Sequence, residues 1–170
     1  MEEAQRERSE AADRLWHVDR WPPLSKAETL IKLAAFGFAY AAFAVSIGRA
    51  TVPIARDVRS LALVAILGVL ASGLVAAVWD RWRRREVVSM IFVLLNAPAH
   101  WLLFVALLRG AAVDFWLFFF ATLMLLGDLI KAVSFYVPPP PVRDLSPAAG
   151  TALTGIYALG YAAILALEHI

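Results

Sequence analysis

The stretch Asp114–Val137, DFWLFFFATLMLLGDLIKAVSFYV, decides how the rest of the chain is read. At about 1.5 Å of rise per residue it makes a helix long enough to cross the hydrocarbon of a bilayer. Its first half is almost entirely Phe, Trp, Leu and Met, which suits a lipid-facing or core-facing span. Its second half carries Gly127, Asp128 and Lys131, an acid and a base three residues apart on one helical face. A carboxylate held at that depth needs partners, so the other apolar runs are read as helices packed around this one.

Working outward, Val87–Leu108 is a span with Asn96, Pro98 and His100 near its middle. Proline removes a backbone donor there and bends the helix, which neighbours must compensate. Gly110 suits the residue after a helix end and Asp114 suits an N-cap, so spans three and four are expected to form a tight antiparallel hairpin. On the other side, the run Pro138–Pro141 stops the helix in a stiff extended exit. Ser146 and Pro147 then supply an N-cap and a first helical residue for a fifth span, residues 147–167. It shows Thr154, Ala158, Ala162 and Ala166 on one stripe.

Toward the N-terminus, Ser25–Glu28 has the S-x-x-E form of a capping box at the start of span one, residues 26–47. Lys32 is expected to snorkel along its own stem to the interface. Small residues recur at Ala35 and Ala39, at Gly37 and Ala41, and in span two, residues 60–78, at Gly68, Ser72 and Ala76. Such positions allow close backbone contact in lipid, where no hydrophobic force draws helices together. Residues 1–24 are polar and lack the apolar core of a cleaved signal peptide. They read as a cytoplasmic tail, with a short interfacial helix over Glu3–Trp16 and tryptophans suited to the membrane boundary.

Composition agrees with this reading. The 170 residues are 61% hydrophobic, above the roughly 45–50% apolar content of soluble domains, and the excess falls in the five runs. A net charge of +2 gives no case for nucleic acid, and the absence of cysteine excludes disulfides and thiolate metal sites. The densest basic cluster, Arg81, Arg83, Arg84 and Arg85, follows span two and is read as topogenic or facing anionic lipid. Arg6, Arg8, Arg14, Arg20, Lys26, Lys32, the Arg81–Arg85 cluster, Lys131 and Arg143 fall on one side, against Arg49, Arg56, Arg59 and Arg109. The positive-inside rule then places the N-terminus in the cytoplasm and the C-terminus outside, in what is expected to be a plasma membrane.

The candidate polar site is Asn96, His100, Asp128 and Lys131. Hairpin arithmetic sets Asn96 at the depth of Leu126, in reach of Asp128 if the two faces meet, with Lys131 free to pair with Asp128 or to snorkel. Three readings follow: a clamp fixing helix register, an ion or proton site, or a polar contact to a larger subunit. His100 alone makes a poor haem site, because His17 and His169 lie toward opposite sides of the membrane. No catalytic, metal or cofactor motif is present. The sequence therefore predicts an all-α, five-span integral membrane bundle, residues 25–170, with no cofactor. It reads first as a non-enzymatic component of a membrane complex or homo-oligomer. A small transporter or channel using Asp128 is second, and an enzyme acting on lipid third.

Overall fold

The computed structural model describes residues 21–47, 58–84, 87–137 and 146–168. They form five helices: α1 (Pro23–Ile47), α2 (Val58–Arg84), α3 (Val87–Leu108), α4 (Asp114–Ser134) and α5 (Pro147–Glu168). No strand occurs among the described residues, and every helix carries a segment long and apolar enough to cross a membrane. The tail helix expected over Glu3–Trp16, the proline run and Arg85 lie outside the described residues.

Helix ends follow local chemistry, with four departures from expectation. α1 starts at Pro23, where the fixed φ of proline suits a first helical residue, and Lys26 N–H donates to the Pro22 carbonyl at 3.1 Å. The capping box therefore does not form. Ser25 is already helical and accepts from the Thr29 hydroxyl, while the Glu28 carboxylate turns to Lys32. α4 is preceded by Val113 with no side-chain cap, and Asp114 is its first residue rather than its cap. That helix ends at Ser134, short of Val137. α2 continues past residue 78 to Arg84, so the start of the basic cluster is helical and Arg83 is exposed.

Two ends do match. Gly110 has φ 69°, its N–H donates to the Leu107 carbonyl at 2.9 Å, and Ala111 N–H reaches back to Ala106 at 3.1 Å. This is a Schellman closure of α3, in which glycine takes the left-handed conformation without a Cβ penalty. At α5, Ser146 Oγ accepts from Ala149 N–H at 3.3 Å, as an N-cap should.

Each helix packs mainly on two others, giving the cyclic order α1, α3, α2, α5, α4 and back to α1. Contacts fix the directions. Phe36 meets Phe92 and Tyr40 meets Leu95, so α1 and α3 run parallel. Gly160 faces Leu70 and Gly73 faces Tyr157, so α2 and α5 run antiparallel. The expected hairpin of spans three and four is thus opened: α1 packs on both, and they touch each other far less than either touches α1. The short connection fixes their antiparallel direction, whereas side-chain fit selects neighbours, and small Ala35, Ala39 and Ala42 let α1 settle closely.

Side chains fill the centre of the ring. Leu67, Leu103, Leu117, Phe120 and Tyr161 are wholly buried, whereas Val69, Ile156 and Leu159 project outward from α2 and α5. An apolar outer surface around an apolar core is what a bundle surrounded by hydrocarbon requires. At the end distant from the start of α1, Arg59 donates to the Leu167 carbonyl at 2.7 Å. Its guanidinium also lies 3.3 Å from Glu168 and 3.5 Å from Asp114, joining α2, α4 and α5.

Candidate functional site

Near the end of the bundle where α1 starts, four charged side chains converge from α1 and α4. Lys32 lies about 14 Å along its helix, so its stem does not carry the ammonium to the interface as expected. It is 3% exposed and points inward. Its Nζ donates to Asp128 Oδ1 at 2.6 Å and to Glu28 Oε1 at 2.9 Å. The first bond crosses from α1 to α4, and the second joins residues one turn apart on α1. Lys131, one turn beyond Asp128 and more exposed, brings its Nζ to 3.8 Å from Glu28 Oε1. Lysine and carboxylate thus alternate, and no charge faces only its own sign.

Local sequence makes room for this arrangement. Gly127 lies against the Lys32 stem, and a Cβ there would stand 2.8 Å from Cε and 2.9 Å from Cγ. The bare backbone of α4 therefore forms the trough in which the lysine methylenes lie. Charged heads in such a site are stabilised by one another, because hydrocarbon offers neither water nor high dielectric.

A second polar group occupies the bundle axis. His100 is fully buried, with Nδ1 2.9 Å from the Asn96 carbonyl and Nε2 2.6 Å from the Tyr161 hydroxyl. A carbonyl only accepts, so Nδ1 carries the hydrogen and Nε2 accepts from Tyr161. Both ring nitrogens are engaged, which leaves neither open as an axial ligand in this conformation. Phe120 and the imidazole meet in a T-shaped pair, 4.9 Å between centroids. Two side chains also bond to the backbone beside Pro98. Tyr40 donates to the Leu95 carbonyl and His100 to that of Asn96, both in the turn before the proline.

Of the residues singled out from sequence, Asp128 and Lys131 join one cluster through Lys32 and Glu28. Asn96 and His100 belong to the axial group. The proposed pairing of Asn96 with Asp128 does not form: Asp128 takes Lys32, and Asn96 Oδ1 is buried with no hydrogen-bond partner. Sequence reasoning missed Lys32, Glu28 and Tyr161 as site residues. Lys32 carried a usable signal, because the antiparallel depth argument applied to Asn96 also matches the start of span one to the end of span four. Tyr161 carried none beyond being a tyrosine in an apolar run.

Among the described residues no three His, Asp or Glu side chains are placed to share a metal ion. No family model matches this chain, and neither a curated protein nor a solved structure matches it.

Proposed function

We propose that this chain is a non-enzymatic component of a membrane assembly, a homo-oligomer or a larger complex. The observation that carries this reading is the inward use of its polar chemistry. Lys32 donates to both Glu28 and Asp128, His100 binds Tyr161, and wholly buried side chains fill the axis. Polar groups spent on joining helices suit a rigid membrane part better than an open conduit, which needs polar groups facing water. The sides of the bundle are left apolar, with large exposed residues on α2 and α5, as suits lipid or the helices of other subunits.

The balance of basic residues supports the end with the Lys32 cluster facing the cytoplasm, in a plasma membrane. The test is extraction of the full chain in mild detergent, followed by native mass measurement. A defined oligomer, or a partner in fixed stoichiometry, is expected. A lone monomer carrying only lipid would sink the reading. The runner-up, a small carrier working through Asp128, rests on the burial of that carboxylate in the span. Solute flux in vesicles holding the pure chain, lost in Asp128→Asn, would favour it instead.

A further inference from the structure

Lys32 has two carboxylates to choose between, and they differ in what they hold together. Glu28 is on its own helix, one turn away; Asp128 is on α4. The two oxygens of Asp128 also differ. Oδ1 takes the lysine, while Oδ2 is buried with no hydrogen-bond partner among the described residues, on a residue only 4% exposed. A buried carboxylate oxygen left bare is costly, and the simplest ligand that satisfies it is a proton.

We propose that Asp128 is a reversible proton-binding site, filled at Oδ2, whose occupancy decides whether Lys32 links α1 to α4 or rests on Glu28 alone. The step balances simply. A hydronium ion gives up its proton, an Oδ2–H bond forms, water is released, and the cluster gains one positive charge. Lys32 keeps its proton throughout. With Asp128 neutral, the ammonium loses an anionic partner across the helix gap but keeps one on its own helix, so the direct Lys32 link from α1 to α4 is lost without stranding the lysine, and only the longer Lys131–Glu28 pair at 3.8 Å still joins the two helices by charge.

The surroundings have a source and a limit for that proton. Lys131 lies on the same cluster with its side chain 28% exposed, the more open edge of the cluster and one turn nearer the end of α4 than Asp128. The other titratable groups facing the site are Glu28 on α1 and Tyr157 and Tyr161 on α5. His100 on α3 lies behind Tyr161, its Nδ1 hydrogen on the Asn96 carbonyl and its Nε2 filled by the tyrosine hydroxyl, so in this conformation the proton stops at Asp128. Such a site works in the chain alone or with partners.

The test uses the full chain in nanodiscs of phosphatidylcholine and phosphatidylglycerol. Infrared difference spectra between neutral and acid pH are expected to show a protonated-carboxyl band. The band is to vanish in Asp128→Asn, shift in Asp128→Glu and persist in Glu28→Gln. The chain has no cysteine, so spin labels at Leu33→Cys on α1 and Leu129→Cys on α4, both exposed positions, report alone. Their separation is expected to lengthen on acidification in the wild type and to be long at both pH values in Asp128→Asn. No band in the wild type, a band unchanged in both Asp128 variants, or a separation indifferent to pH would each overturn the proposal. If Asp128→Asn fails to fold, the shifted band in Asp128→Glu still decides.

Discussion

Lys32 stands between carboxylates on two helices, and removing one partner leaves another charge in hydrocarbon. Lys32→Met is therefore expected to cost about 3–5 kcal/mol, the usual penalty for a buried ion stripped of its counter-ion. The double variant Lys32→Met/Asp128→Leu is expected to recover most of that loss, since Glu28 keeps Lys131 at hand and the exchanged side chains are apolar. Unfolding titrations in mixed micelles measure both, and a double variant as weak as the single would show that the pair is not the coupled unit. At the axis, Tyr161→Phe removes the only donor at His100 Nε2 among the described residues, and a cost of about 1–3 kcal/mol is expected in the same titration. Asp128 was legible as a residue needing partners, because an acid in a span announces itself. Its partner was not, because a lysine near a helix start fits snorkelling equally well. Only the glycine trough at Gly127 separates the two cases, and that contact depends on which helix faces α4.

Whole helices were the most legible level, for a physical reason: in hydrocarbon the backbone must satisfy itself, so apolar length alone specifies a helix. Ends were less so. Glycine after α3 and Ser146 before α5 behaved as their chemistry dictates. At α1 two start signals overlapped, and Pro23 took precedence over Ser25 by needing no N–H. At α4 the Asp114 carboxylate faces Arg59 rather than the first turn. Gly110 offers a direct test of the α3 closure. At φ 69° an alanine meets the left-handed penalty, so Gly110→Ala is expected to lower stability by about 1–2 kcal/mol, with a fall in melting temperature. An unchanged melting temperature would mean that the turn simply relaxes.

At the scale of the molecule, neighbour order is where local rules stop. Consecutive spans joined by a short turn were expected to pair, yet α1 sits beside both α3 and α4, because fit among Ala35, Ala39, Phe36 and their partners is decided across the chain. Direction is better determined than adjacency. Contacts set α1 parallel to α3 and α2 antiparallel to α5, and Arg59 gathers the start of α4 with the end of α5 at the end away from Glu28. If each helix crosses the membrane once, the two termini emerge on opposite sides. The distribution of Lys and Arg then sets the sign, with the N-terminus expected in the cytoplasm. A cysteine appended at either terminus can be probed in intact cells with an impermeant maleimide, against a native background free of thiols. Labelling of the C-terminal cysteine alone is expected. Labelling only at the N-terminus would reverse the orientation and put the Lys32 cluster on the outer face. Equal labelling at both would break the five-crossing arrangement, and with it the argument that Asp128 is an acid held in oil.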